Sequence, residues 1–167
     1  MFINEKLQVE EYFYPLAEQN NPIFQSIISS VKKRNFARCH AQLTDWNFRS
    51  KEIDELVSWI TNKAQNNMVN PYVKISTSYS LSCSDAWGLV CNQGDYLEDH
   101  RHDPSMFSFV YYVNSPKGSS PLVFRTSGYE VNPEAGKVVI FNSRLLHEIP
   151  PNNCNGRYSF VGNLSAV

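Results

Sequence analysis

Apolar residues repeat with a helical period in the first half of the chain and with a strand period in the second. In residues 21–33 they fall at Ile23, Phe24, Ile27, Ile28 and Val31, a stripe along one helix face. Residues 50–66 carry a stronger signal. Ile53, Leu56, Val57 and Ile60 share a face, Trp59 lies beside them, and Ser50 is suited to cap the N-terminus. This helix is expected to pack on the outside of a sheet. Residues 73–82 alternate and are rich in β-branched and hydroxyl side chains. Residues 87–91, 107–113, 121–124, 136–141 and 157–163 read as short strands. Turn signals separate them at 92–95, 114–118, 132–136 and 152–156. Short strands at even spacing predict a sandwich or barrel, and helices that precede strands predict a buttress followed by a β core. The expected organisation is one mainly β, α+β domain over 1–167, with a helical buttress at about 1–70 and a β core at about 71–167.

Charge narrows the field. Fifteen basic residues against sixteen acidic ones advertise no basic face, so nucleic-acid binding has little electrostatic support. No run approaches the ~18 consecutive apolar residues of a membrane span. The start, MFINEKLQVEEYF, is acidic and mixed, unlike a signal peptide. Cys39, Cys83, Cys91 and Cys154 form no CxxC pair and read as reduced thiols of a cytoplasmic protein.

His100 and His102 stand two apart, so on a strand their imidazoles share a face and can meet one metal ion. His147 follows the strand at 136–141 and offers a third ligand from a distant part of the chain. Three protein ligands on one face of an octahedral iron leave positions for a bidentate 2-oxoacid and dioxygen. The usual site of this kind has two histidines and a carboxylate. Here Asp103 is adjacent to His102, on the opposite face of a regular strand, and only a bulge would bring it in. The spacing favours three histidines over two histidines with Asp103. Asp99 and Asp103 are then candidates to orient the imidazoles.

Arg157 opens an otherwise apolar strand, RYSFV. A guanidinium directed into a β core needs an anion, and its planar fork fits a carboxylate. Ser159 shares its face and can donate a further bond. Taken singly, Arg157 could also be a strand-end arginine that reaches solvent.

The segments NQGDY at 92–96, HRH at 100–102, SFVYYV at 108–113 and SSPLVF at 119–124, with 133–147 and a closing Arg157-x-Ser159, resemble the 2-oxoglutarate/Fe(II) oxygenase family. The resemblance runs from about Trp46 to the C-terminus. It implies a double-stranded β-helix (jelly roll) with N-terminal helices outside. It implies Fe(II) held by His100 and His147, with His102 where the wider superfamily has its acid. It implies that Arg157 and Ser159 bind the tail of 2-oxoglutarate, with Tyr112 beside the arginine and Asn92 near the cosubstrate's other end. The implied reaction is hydroxylation of an unidentified small molecule or protein side chain with O2, releasing succinate and CO2. Loops at 76–87, 103–106 and 126–131 are expected to set specificity. Two rivals are a cupin-like metal protein that does not use 2-oxoglutarate and a non-catalytic jelly-roll binding module.

The remaining conspicuous residues read as structural. Trp46, Trp59 and Trp87 are expected to pack in the core or buttress, Arg125 and Arg144 to lie on the surface, and His40 to be partly exposed.

Overall fold

The computed structural model describes residues 8–36, 38–68 and 79–167. The elements run β1 (Val9–Phe13), α1 (Ala17–Ser30), β2 (Arg34–Phe36), β3 (Cys39–Leu43), α2 (Lys51–Asn67), β4 (Leu81–Cys91), β5 (Leu97–His100), β6 (Phe107–Asn114), β7 (Leu122–Phe124), β8 (Tyr129–Val131), β9 (Lys137–Asn142), β10 (His147–Ile149) and β11 (Arg157–Ala166). The strands pair in the order β1-β9-β6-β11-β4-β3-β5-β10-β7-β8, with β2 on β3, and the pairings are antiparallel.

The sheet curls until its two halves face each other. Phe124 on β7 meets Phe141 on β9 with ring centroids 5.2 Å apart. At the sheet's ends, Tyr129 of β8 donates its hydroxyl to Glu11 of β1 at 2.8 Å. This is the double-stranded β-helix expected from the sequence.

Strand β6 shows how one segment serves two cores. Phe107, Phe109, Tyr111 and Val113 face the helices, whereas Val110 and Tyr112 face the interior of the roll. Both sides are apolar, so the strand reads as a continuous hydrophobic run. Helix α2 buries Ile53, Leu56, Val57, Ile60 and Ala64 on the outer face of the sheet, and the Ser50 hydroxyl caps it by accepting from the Ile53 N–H at 3.3 Å. Truncating Leu56 to Ala in such a layer costs about 2–5 kcal/mol. Helix α1 buries Phe24 and Ile28. It approaches β4 so closely that a Cβ on Gly88 would meet Ile28 at 3.0 Å. Among the described residues, no helix is long and apolar enough to cross a membrane.

Several boundaries differ from the sequence reading. Helix α1 spans Ala17–Ser30 rather than 21–33, and β4 starts at Leu81 rather than at Trp87. The expected strand at 73–82 lies outside the described residues for 73–78, and its end belongs to β4. The expected specificity loop at 76–87 is strand from Leu81 onward, because β11 pairs with β4 along its whole length. Strands β1, β2 and β3 lie within the first seventy residues and are part of the sheet, not of a helical layer.

Candidate metal and anion site

Strands β5 and β10 are neighbours in register, and His100 is the direct cross-strand partner of His147. His102 lies two residues past the end of β5, in a turn rather than on the strand, yet it faces the same centre. Imidazole centroids are 4.4 Å apart for His100 and His147, 4.9 Å for His100 and His102, and 5.1 Å for His102 and His147. One nitrogen from each ring lies within 4.8 Å of the others.

Hydrogen bonds define two of the tautomers. Nδ1 of His100 lies 2.8 Å from the Glu98 carbonyl, and Nδ1 of His147 lies 2.8 Å from the Leu145 carbonyl. A carbonyl can only accept, so each Nδ1 carries the proton and each Nε2 presents a lone pair. Orientation therefore comes from backbone carbonyls. Asp99 does not perform it, and neither does Asp103, whose carboxylate is exposed and lies 3.7 Å from Arg144.

Burial keeps all three rings neutral. It lowers the pKa of His100, lowers that of His102 to about 3 with help from His100, and holds His147 well below the ordinary value, where the other two imidazoles add to the effect. Three neutral nitrogen donors in one cavity are suited to a borderline divalent cation.

A chain of polar side chains supports the His102 turn. The His102 N–H donates to the Ser143 carbonyl at 2.9 Å. The Ser143 hydroxyl lies 2.8 Å from that of Ser108, which donates to Asn163 Oδ1 at 2.8 Å, and Asn163 Nδ2 donates to Asp85 at 3.0 Å. Sequence reasoning assigned no supporting role to Ser108 or Asn163. The available signal was a polar residue in each of two otherwise apolar strands, FSFVYYV and FVGNL.

Below the histidines lies a second polar group. Arg157 and Tyr112 are fully buried, and Ser159 is nearly so. Ser159 of β11 and Tyr112 of β6 are cross-strand partners, and Arg157 stands two residues before Ser159 on the same face. The guanidinium carbon lies 5.4 Å from the Tyr112 ring centroid, and one terminal nitrogen approaches the Cys91 sulfur at 3.8 Å. Nε and Nη2 of Arg157, the Tyr112 hydroxyl and the Ser159 hydroxyl are all buried without a hydrogen-bond partner. One inward step along the same strands reaches Val161 and Val110, and both line the histidine cavity. Such a step is about 6–7 Å. Burial raises the Tyr112 pKa, and the nearby guanidinium opposes the rise, so the phenol remains a donor.

Asn92 does not join either group. Its Oδ1 accepts from the Gly156 N–H at 3.1 Å and its own N–H donates to Asp95 at 2.7 Å. It therefore sits at the Arg157 end of the roll, tying down the loop that leads into β11. The other conspicuous residues lie on the surface or in packing. His40 stacks on Tyr96, Arg125 pairs with Glu148, and Trp59 packs edge-on against Tyr12 and Tyr14. Trp87 is buried, whereas Trp46 is 38% exposed beside it.

No protein-family model and no curated protein sequence matches the chain. Solved structures do. The viral collagen prolyl hydroxylase of Paramecium Bursaria Chlorella virus-1, in its 2-oxoglutarate complex, superposes with a TM-score of 0.70 over 95% of this chain and 96% of that one, at 17% identity. A prolyl-4-hydroxylase from Pseudomonas putida gives 0.71 over 95% and 91%, at 18% identity. HygX from Streptomyces hygroscopicus, with nickel and 2-oxoglutarate bound, gives 0.67 over 93% and 82%, at 13% identity. At these identities the likeness establishes the fold.

Proposed function

We propose that this chain is a non-haem Fe(II)- and 2-oxoglutarate-dependent dioxygenase. In this reading His100, His102 and His147 hold the iron. Arg157, Ser159 and Tyr112 hold the distal carboxylate of 2-oxoglutarate. The observation that carries the reading is the set of buried, partnerless polar atoms on those last three residues, one strand step from Val110 and Val161, which line the histidine cavity. A buried guanidinium without an anion is costly, and leaving two hydroxyls unpaired beside it adds to the cost. One dicarboxylate satisfies all of them and leaves its other end at the histidines. The neighbours' bound 2-oxoglutarate and nickel agree with this chemistry. A cupin-like metal protein would have no use for the lower group.

When bound, the iron supplies O2-dependent oxidation of a substrate C–H bond, coupled to conversion of 2-oxoglutarate to succinate and CO2. The protein's part is to bind, orient and exclude water. The Nδ1–H bonds to Glu98 and Leu145 aim two lone pairs at the metal position. The guanidinium sets the depth of the cosubstrate, and Leu89, Val110 and Val161 give the histidine cavity an apolar lining that excludes water.

The test is anaerobic titration of the metal-free protein with Fe(II) and then 2-oxoglutarate. A visible charge-transfer band is expected that needs both additions and is absent in Arg157→Met. If 2-oxoglutarate produces neither the band nor a rise in melting temperature, the reading is wrong.

A further inference from the structure

The histidine cavity opens into an outer chamber of about 250 Å³ that shares Trp87, Leu97, His100 and His102 with it. This volume lies near the lower end of small-ligand pockets, roughly 300–1,000 Å³. Two features of its walls bear on what enters. The first is charge. Arg38 and Arg101 line the chamber, and among the described residues no carboxylate does. Glu98 lies 3.7 Å from Arg38 and 3.6 Å from His40, and Asp45 lies 3.5 Å from Arg34. Arg101 has no hydrogen-bond or ion-pair partner among the described residues.

The second feature is an indole wall. Trp46 and Trp87 meet edge to face with centroids 4.2 Å apart. Arg34 lies over the Trp46 ring at 5.5 Å, and Trp87 reaches His102 at 6.1 Å. The Arg34 guanidinium pairs with Asp45 through Nη1, so it packs on Trp46 from the side of that ion pair. The wall thus runs from the outer rim down to the metal position. Trp87 is buried, and Trp46, which also lines the chamber, is 38% exposed.

We infer that the substrate is a small organic anion, with an apolar or aromatic body that lies on Trp46 and Trp87 and a carboxylate or similar group that pairs with Arg101. This inference rests on the oxygenase reading for the meaning of the word substrate, but not for the binding itself. Arg38, already beside Glu98, contributes the weaker attraction. Seated this way, the body of the anion extends along Trp87 toward the imidazoles.

The experiment uses the whole chain, free of metal and 2-oxoglutarate. Benzoate, 3-phenylpropanoate and octanoate are each titrated against their primary amides, with tryptophan fluorescence and calorimetry as readouts. At least one acid is expected to bind about threefold to fivefold tighter than its amide, the range open to an ion pair with the exposed Arg101. Arg101→Ala should remove that preference and leave amide binding in place, while Trp46→Ala should weaken acid and amide alike. Arg157→Met should leave the preference intact, since its anion position is separate. The inference is overturned if no acid outcompetes its amide, if Arg101→Ala leaves the ratio unchanged, or if Arg157→Met abolishes it. Failure of the oxygenase reading would appear instead as loss of the Fe(II) and 2-oxoglutarate signal with the acid preference retained.

Discussion

His100 and His147 face each other across β5 and β10, and each donates Nδ1–H to the carbonyl two residues before it, Glu98 and Leu145 respectively. The arrangement repeats one device on two strands. A short strand ends or begins at the histidine, and the local backbone fixes the ring. Both Nε2 lone pairs then point at the same place without help from any side chain.

Loss of either ring should therefore disable metal binding more severely than loss of an orienting partner, which typically costs ~10–100-fold in affinity. His147→Ala is expected to retain no iron after desalting. His102→Asp, which restores a carboxylate at the third position, should keep it, because the turn held by Ser143 still directs that residue inward. Metal analysis of proteins purified without a histidine tag decides the point. Full metal retention in His147→Ala would remove that residue from the site.

Arg157 gives a prediction whose sign differs between the free and loaded protein. In the free protein its Nε and Nη2 are buried and unpaired, so Arg157→Met removes an unfavourable burial while filling similar volume. The melting temperature of the metal-free variant is expected to match or exceed that of the wild type. Saturating 2-oxoglutarate, at about 100 times Kd, should stabilise the wild type by about 2.7 kcal/mol and the variant not at all. Differential scanning fluorimetry with and without the dicarboxylate reads both arms. Equal stabilisation of the two proteins would contradict the assignment.

Tyr112→Phe and Ser159→Ala test the rest of that group. A hydrogen bond to a charged partner contributes about 1.5–3 kcal/mol, so each variant should raise the 2-oxoglutarate Kd by roughly 10–100-fold. Metal affinity should not change, since neither hydroxyl approaches an imidazole nitrogen. Calorimetry with 2-oxoglutarate on the metal-loaded protein is the measurement. An unchanged Kd in both variants would place the cosubstrate elsewhere.

Much of this arrangement was legible in the sequence, for physical reasons particular to each residue. Arg157 was conspicuous because a charge stood in an apolar strand and therefore needed a partner. The α2 stripe at Ile53, Leu56, Val57 and Ile60 was legible because the i, i+3, i+4, i+7 spacing marks one face over two successive turns of helix. Strands β5 and β10 were not, because LEDH and HEI are too short to show a period and carry polar side chains toward the mouth of the roll. The opposition of Tyr112 and Ser159 depends on register between strands far apart in the chain, which no local pattern encodes. Asn92 was misplaced for a related reason. Its side chain is claimed by the backbone of a loop sixty-four residues away.

Burial of the imidazoles predicts how stability depends on acidity. In the unfolded chain a histidine titrates near ~6.5. In the folded, metal-free protein burial depresses the pKa of His102 to about 3, and those of His100 and His147 are also lowered. Above the unfolded pKa all three rings are neutral in both states, and the folded protein has its full stability. As pH falls below it, the unfolded chain takes up protons that the folded protein refuses, so stability is lost progressively from about pH 6.5 toward pH 3. At pH 5.5 the part due to His102 is about 1 kcal/mol, discounted because its ring is partly exposed. That is worth roughly 2–4 °C in melting temperature for a chain of this size. His102→Gln should lose less melting temperature than the wild type between pH 7.5 and pH 5.5, by about that amount. Parallel melting curves for the two proteins across this range would show that His102 is not held neutral by the fold.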